Sequence, residues 1–123
     1  MLYSIDTGKY VERLPHKKEF DAWMKKLPQV DYEKIVDALN AKIDIKDINT
    51  SSWMPGDDWD SVYKPIAVAC GNNKEASGLF FGLILFDLLM RREDAVWGFG
   101  RYEKNGVPIK GTTYFILHNP PDR

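Results

Sequence analysis

Residues 96–118 read VWGFGRYEKNGVPIKGTTYFILH, with Asn105-Gly106 near the middle. Asn-Gly between two apolar runs is the strongest short-range signal for a tight β-hairpin, because both residues tolerate the positive φ of a type I′ turn. Taking those two as the turn residues sets the register. On one face Lys104 lies opposite Val107, Tyr102 opposite Ile109, Gly100 opposite Gly111, Gly98 opposite Thr113 and Val96 opposite Phe115. The other face carries Trp97 across from Tyr114, Phe99 across from Thr112 and Arg101 across from Lys110. Neither face is polar enough to be simply solvated. The bare strip of Gly98, Gly100 and Gly111 suits close approach of a helix, so the first face is assigned to helix packing. That leaves Trp97, Phe99, Tyr114 and Ile116 to be covered by other helices, a ligand or a second subunit.

The helix meant to lie on the glycine strip is the segment immediately upstream, about Lys74 to Arg92. It is apolar on nearly every side through LFFGLILFDLLM, a composition that a half-exposed surface helix does not tolerate. Gly78 and Gly82 are four residues apart on one helical face, a spacing that reads as close backbone approach. Asp87 stands four residues before Arg91, in the orientation that favours an ion pair along a helix. A catalytic carboxylate with a perturbed pKa is the alternative reading of Asp87.

Three more helices are expected upstream. Phe20, Trp23, Met24 and Leu27 recur at helical spacing before Pro28. Asp31 reads as an N-cap with Val30 and Ile35 as a hydrophobic staple, followed by the stripe Tyr32, Ile35, Val36, Leu39 and Ile43. Residues 44–57 read as an irregular loop ending in Met54-Pro55-Gly56-Asp57, a type II turn sequence with Asp57 as the next N-cap. The third stripe is Trp59, Val62, Tyr63, Ile66 and Cys70, with a kink or restart at Pro65. Tyr3 and Ile5, then Asp6-Thr7-Gly8, then Tyr10 and Val11 read as a short N-terminal hairpin that can add a strand. The expectation is a single α+β domain over 1–123: four helices, then a C-terminal antiparallel hairpin.

Composition narrows the function classes. The 123 residues include 17 basic and 18 acidic side chains, giving a net charge of −1. There is no basic field of the kind nucleic-acid binding uses. The doublets Lys17-Lys18, Lys25-Lys26 and Arg91-Arg92 have acids interleaved and read as solvated helix faces. One cysteine cannot close an intrachain disulfide, and two histidines are too few for an ordinary zinc site. The N-terminal residues lack the basic flank and apolar run of a signal peptide, and no apolar stretch reaches about 20 residues, so a cytoplasmic protein with no membrane partner is expected. No phosphate loop, dinucleotide fingerprint or nucleophile elbow is present, and no cofactor is expected.

Three constellations remain. Asp57, Asp58 and Asp60 offer carboxylates for a hard cation, but the alternating ligands, central glycine and distal glutamate of an EF-hand are missing, so favourable helix-dipole contacts explain them and no metal is expected. Trp53 and Trp59 flank these acids, an arrangement that can take an organic cation or a basic side chain. Arg101 opposite Lys110 places like charges together unless an acidic group reaches them. Cys70 with His16 or His118 is the sole conceivable thiol nucleophile and base, but Cys70 continues an apolar stripe and reads as an inert thiol.

Read together, these features describe a small interaction protein, more consistent with a non-catalytic role than with an enzyme. The ligand- or partner-binding residues are Trp53, Asp57, Asp58, Trp59, Trp97, Phe99, Arg101 and Tyr114. The expected partner is a second copy of the chain, forming a homodimer, or another protein. The alternative is a small organic ligand held in an aromatic pocket under residues 49–60.

Overall fold

The computed structural model describes residues 1–44, 48–50, 60–100, 103–104, 107–108 and 113–121. In chain order these form β1 (Leu2–Ser4), β2 (Lys9–Val11), α1 (Lys17–Met24), α2 (Gln29–Ile43), β3 (Ile48–Thr50), α3 (Asp60–Ala69), α4 (Lys74–Arg91), β4 (Trp97–Gly100), β5 (Glu103–Lys104), β6 (Val107–Pro108) and β7 (Thr113–Ile116). The class is α+β, as the sequence implies. A five-stranded mixed sheet runs in the order β2-β1-β4-β7-β3, and β5 and β6 form a separate two-stranded ribbon.

The N-terminal hairpin forms with Gly8 in the left-handed region at φ 67°, its amide donating to the Ser4 carbonyl at 2.9 Å. Glycine adopts that conformation without steric penalty. The resulting strand β1 lies inside the sheet, antiparallel to β2 and parallel to β4, with Leu2 paired to Trp97 and Ser4 to Phe99. A parallel neighbour needs a long crossover, and all four helices supply it. Residues 48–50, expected in a loop, instead pair as β3 with β7, consistent with the β-branched Ile48 and Thr50.

The C-terminal hairpin register is corrected over most of its length. At the tip, Lys104 pairs with Val107 and Glu103 with Pro108, as expected from a two-residue connection; residues 105–106 lie outside the described residues. Further down, Trp97 pairs with Ile116, Gly98 with Phe115, Phe99 with Tyr114 and Gly100 with Thr113. The shift arises because four residues, 109–112, separate β6 from β7 where only 101–102 separate β4 from β5. A slip of two preserves which side chains share a face.

The assignment of the faces is also corrected. The core cluster contains Leu2, Trp97 and Tyr114 together with Phe80, Ile84, Phe86 and Leu89 of α4, and the partly buried Phe99 and Ile116 pack against it. The Phe86 and Phe99 rings meet edge to face, 5.3 Å between centroids. Thus α4 covers the Trp97 and Tyr114 face, not the glycine strip. Large aromatic side chains withdraw far more apolar area from water than a strip of glycines can, and that difference selects the face.

Within the helical layer, α1 packs Phe20 and Trp23 onto Phe80, and α2 buries Ile35, Leu39 and Ile43. That helix begins at Gln29 with Pro28 as N-cap, so Asp31 lies in its first turn; Val30 is 62% exposed and forms no staple. Pro65 lies inside α3 without dividing it, and Tyr63, Ile66 and Cys70 pack toward the core. Asn73 caps α4 by accepting from the Ala76 amide at 3.0 Å. Gly78 is exposed, and among the described residues a Cβ added at Gly78 or Gly82 would meet nothing within 4 Å, so the close approach expected at these glycines is not made by them.

The end of α4 is tied down by charge. The Arg92 guanidinium donates to Asp94 at 2.7 Å and to Asp44, just after α2, at 2.8 Å. The hydrogen bond to Asp94 is the main cause holding the guanidinium pKa above its usual value, and the same bond holds the Asp94 carboxyl below the carboxylate range. The Met1 amino group donates to the carbonyls of Leu89, Arg92 and Ala95, placing a cation at the negative end of the helix dipole.

Candidate functional site

The face of the sheet opposite the helices is built from alternate residues of its strands. Pairing places Tyr3 beside Tyr10 on one side and beside Gly98 on the other, with Phe115 beyond Gly98. None of Tyr3, Ile5, Tyr10, Phe115 and Leu117 belongs to the core cluster or to the apolar residues packed against it. Ile5 is 48% exposed, and the others are partly exposed.

Glycine spacing determines the shape of this face. A Cβ at Gly98 would lie 2.8 Å from Phe115 Cε2 and 3.2 Å from Leu117 Cδ2, and one at Gly100 would lie 3.4 Å from Ile5 Cβ. Neighbouring side chains of the sheet therefore lie across the glycines, a recurrent way of shielding a bare strand. The Tyr3 and Tyr10 rings stand edge to face at 5.2 Å, and the Tyr10 hydroxyl donates to the Pro121 carbonyl. The outcome is a low aromatic and aliphatic surface with a single tyrosine pair at one end.

The residues singled out from sequence fall elsewhere. Trp97 and Tyr114 are each 2% exposed, and Phe99 packs between Phe86 and Tyr114, so this part of the expected docking surface is core. Burial pushes the Tyr114 phenol pKa up. Trp97 Nε1 is buried and finds no acceptor among the described residues. Trp53, Asp57, Asp58, Trp59 and Arg101 lie outside the described residues, as do residues 51–59 of the expected pocket roof, while Asn49 and Thr50 belong to β3 and Asp60 begins α3. The signal for the outer face was present in the alternation of Tyr3 and Ile5 with Leu2 and Ser4, but parity alone does not say which set meets the helices.

The titratable groups form no reactive constellation among the described residues. Asp87 is 3% exposed and accepts from Arg91 Nε at 3.1 Å, the helical ion pair read from its spacing. Tyr32 lies close enough to feel both charges. Its phenol pKa is pushed up chiefly by burial and then by Asp87, against the opposing Arg91. The partly buried Cys70 thiol is likewise pushed up by burial, which disfavours the nucleophilic thiolate. Among the described residues no three His, Cys, Asp or Glu side chains converge to hold a metal, and no helix is long and apolar enough to cross a membrane.

Depressions among the described residues include two on the surface. One, of about 300 Å³, is lined by Met1, Tyr10, Val11, Met90, Arg91 and Glu93. The other, of about 320 Å³, lies between Lys26, Pro28 and Asp31 on one wall and Lys64, Pro65 and Val68 on the other. In comparisons with known proteins, no family model, no curated protein and no solved structure matches this chain.

Proposed function

We propose that this chain is a small, non-catalytic interaction protein that docks a second copy of itself through the outer face of its sheet. The observation that carries the reading is the one-sided helical layer: the core takes in Leu2, Trp97, Phe99, Tyr114 and Ile116 and leaves Tyr3, Ile5, Phe115 and Leu117 outside it. A sheet with one face packed and the other apolar gains by covering the second face, and an isologous dimer does so with one patch. Tyrosine and phenylalanine are also the residue types that protein interfaces favour.

The test is molecular mass in solution. Light scattering after size exclusion, run from low to high micromolar protein, is expected to show a dimer that becomes a monomer when Tyr3→Lys is combined with Leu117→Lys. Circular dichroism should show the same secondary structure in both proteins. A wild-type chain that remains strictly monomeric across that range removes the reading.

A further inference from the structure

One of the most exposed large apolar side chains among the described residues stands in a groove on the helical layer. Val68, 59% exposed, lines it together with Pro28 and Pro65. An exposed valine beside two prolines makes an apolar floor. Proline has no amide proton, so Pro28 and Pro65 offer the groove no backbone donor, and their fixed φ stiffens both walls.

The rim is charged with one sign in excess. Lys26 projects from the end of the α1 segment and Lys64 from α3, both exposed, while Asp31 is the single acid of the lining. Neither lysine is engaged in a salt bridge among the described residues, whereas Lys17, Arg91 and Arg92 all are. An occupant that complements this groove carries an apolar side chain with carboxylates beside it. A folded nucleic acid fits poorly, because the lining has no aromatic ring for stacking and Asp31 repels phosphate. The volume, about 320 Å³, is at the small end for ligand sites and suits a side chain or two of an extended segment.

We infer that the groove between the α1–α2 junction and α3 binds an acidic peptide segment. One apolar side chain of the segment rests on Pro28, Pro65 and Val68, and its flanking carboxylates pair with Lys26 and Lys64. This surface lies on the helical layer and does not depend on the outer sheet face.

The experiment uses the whole chain and a fluorescein-labelled synthetic peptide with a central leucine flanked by glutamates. Anisotropy is expected to report saturable binding that weakens as salt is raised. Binding should fall about tenfold or more in the Lys26→Glu, Lys64→Glu double variant, in line with the loss of about 1.4 kcal/mol per decade. Both lysines are exposed, so melting should be unchanged; Val68→Ser supplies a second variant that weakens binding with the charges intact. The Tyr3→Lys, Leu117→Lys protein should bind the peptide like wild type, which separates this result from the dimer test. Equal binding of a peptide with lysines in place of glutamates, or undiminished binding by the double variant, overturns the inference. So does a dimer that the groove substitutions, but not the sheet substitutions, dissociate, since that assigns the groove to a second copy.

Discussion

The Phe115 ring occupies the space that a side chain at position 98 would need: a Cβ on Gly98 would lie 2.8 Å from Phe115 Cε2 and 3.1 Å from Cζ. Gly98→Ala therefore forces the ring to move. The expected loss is up to about 1 kcal/mol, below that of an overpacked core, because the atoms that must shift are the outer ends of partly exposed side chains. Phe115→Ala removes the obstacle, so the two substitutions should couple, with the double variant more stable than the sum of the singles implies. Urea denaturation of the four proteins measures this, and strict additivity would show that the ring yields freely.

Gly78 presents the opposite case. It lies in the interior of α4, is exposed, and a methyl group placed on its Cα would have no neighbouring atom within 4 Å among the described residues. Gly78→Ala should stabilise the protein by about 0.5–1 kcal/mol through reduced unfolded-chain entropy and better helix propensity. Thermal melting checks it; a decrease in Tm would mean that the glycine serves a contact beyond the single chain.

The Asp87 and Arg91 pair is unequal, since the Asp87 side chain is 5% exposed and that of Arg91 73%. Removing the arginine leaves a buried carboxylate without its partner. Arg91→Ala is expected to lose about 1–3 kcal/mol, and adding Asp87→Leu to it should recover part of that loss, because an apolar side chain has no charge to desolvate. Denaturation midpoints of the three variants decide the order.

Acid sensitivity should trace in part to Asp94. Its carboxyl is held below the usual range, first by the hydrogen bond from Arg92. A carboxyl with a lower pKa folded than unfolded contributes stability above its unfolded value of about 4, and the contribution disappears as pH falls through the folded value. The stability gap between wild type and Asp94→Asn should accordingly be present at neutral pH and close in acid, as pH falls below the unfolded carboxyl value and through the lowered folded one. Equal gaps at neutral and acid pH would place the effect outside this ion pair.

Much of the architecture was legible because helices and tight turns are local. The apolar α4, the stripe Ile35, Leu39 and Ile43, the Gly8 turn and the Lys104–Val107 pairing all follow from spacing within a few residues. What escaped is non-local. No local pattern states that Leu2 pairs in parallel with Trp97, or that two additional residues before β7 displace the register. The site suffered most from the same cause: Trp97 and Tyr114 and their alternate neighbours were both apolar sets, and only the packing of Phe86 on Phe99 decides which set is enclosed.

The parallel pairing of β1 with β4 joins residue 2 to residue 97. During synthesis the first strand must wait, unpaired on that side, until residues 97–99 have been made. Loop closure over such a span is slow compared with helix formation. Refolding should therefore show helical signal arriving well ahead of Trp97 burial, with the nascent N-terminal hairpin as the segment most in need of protection meanwhile.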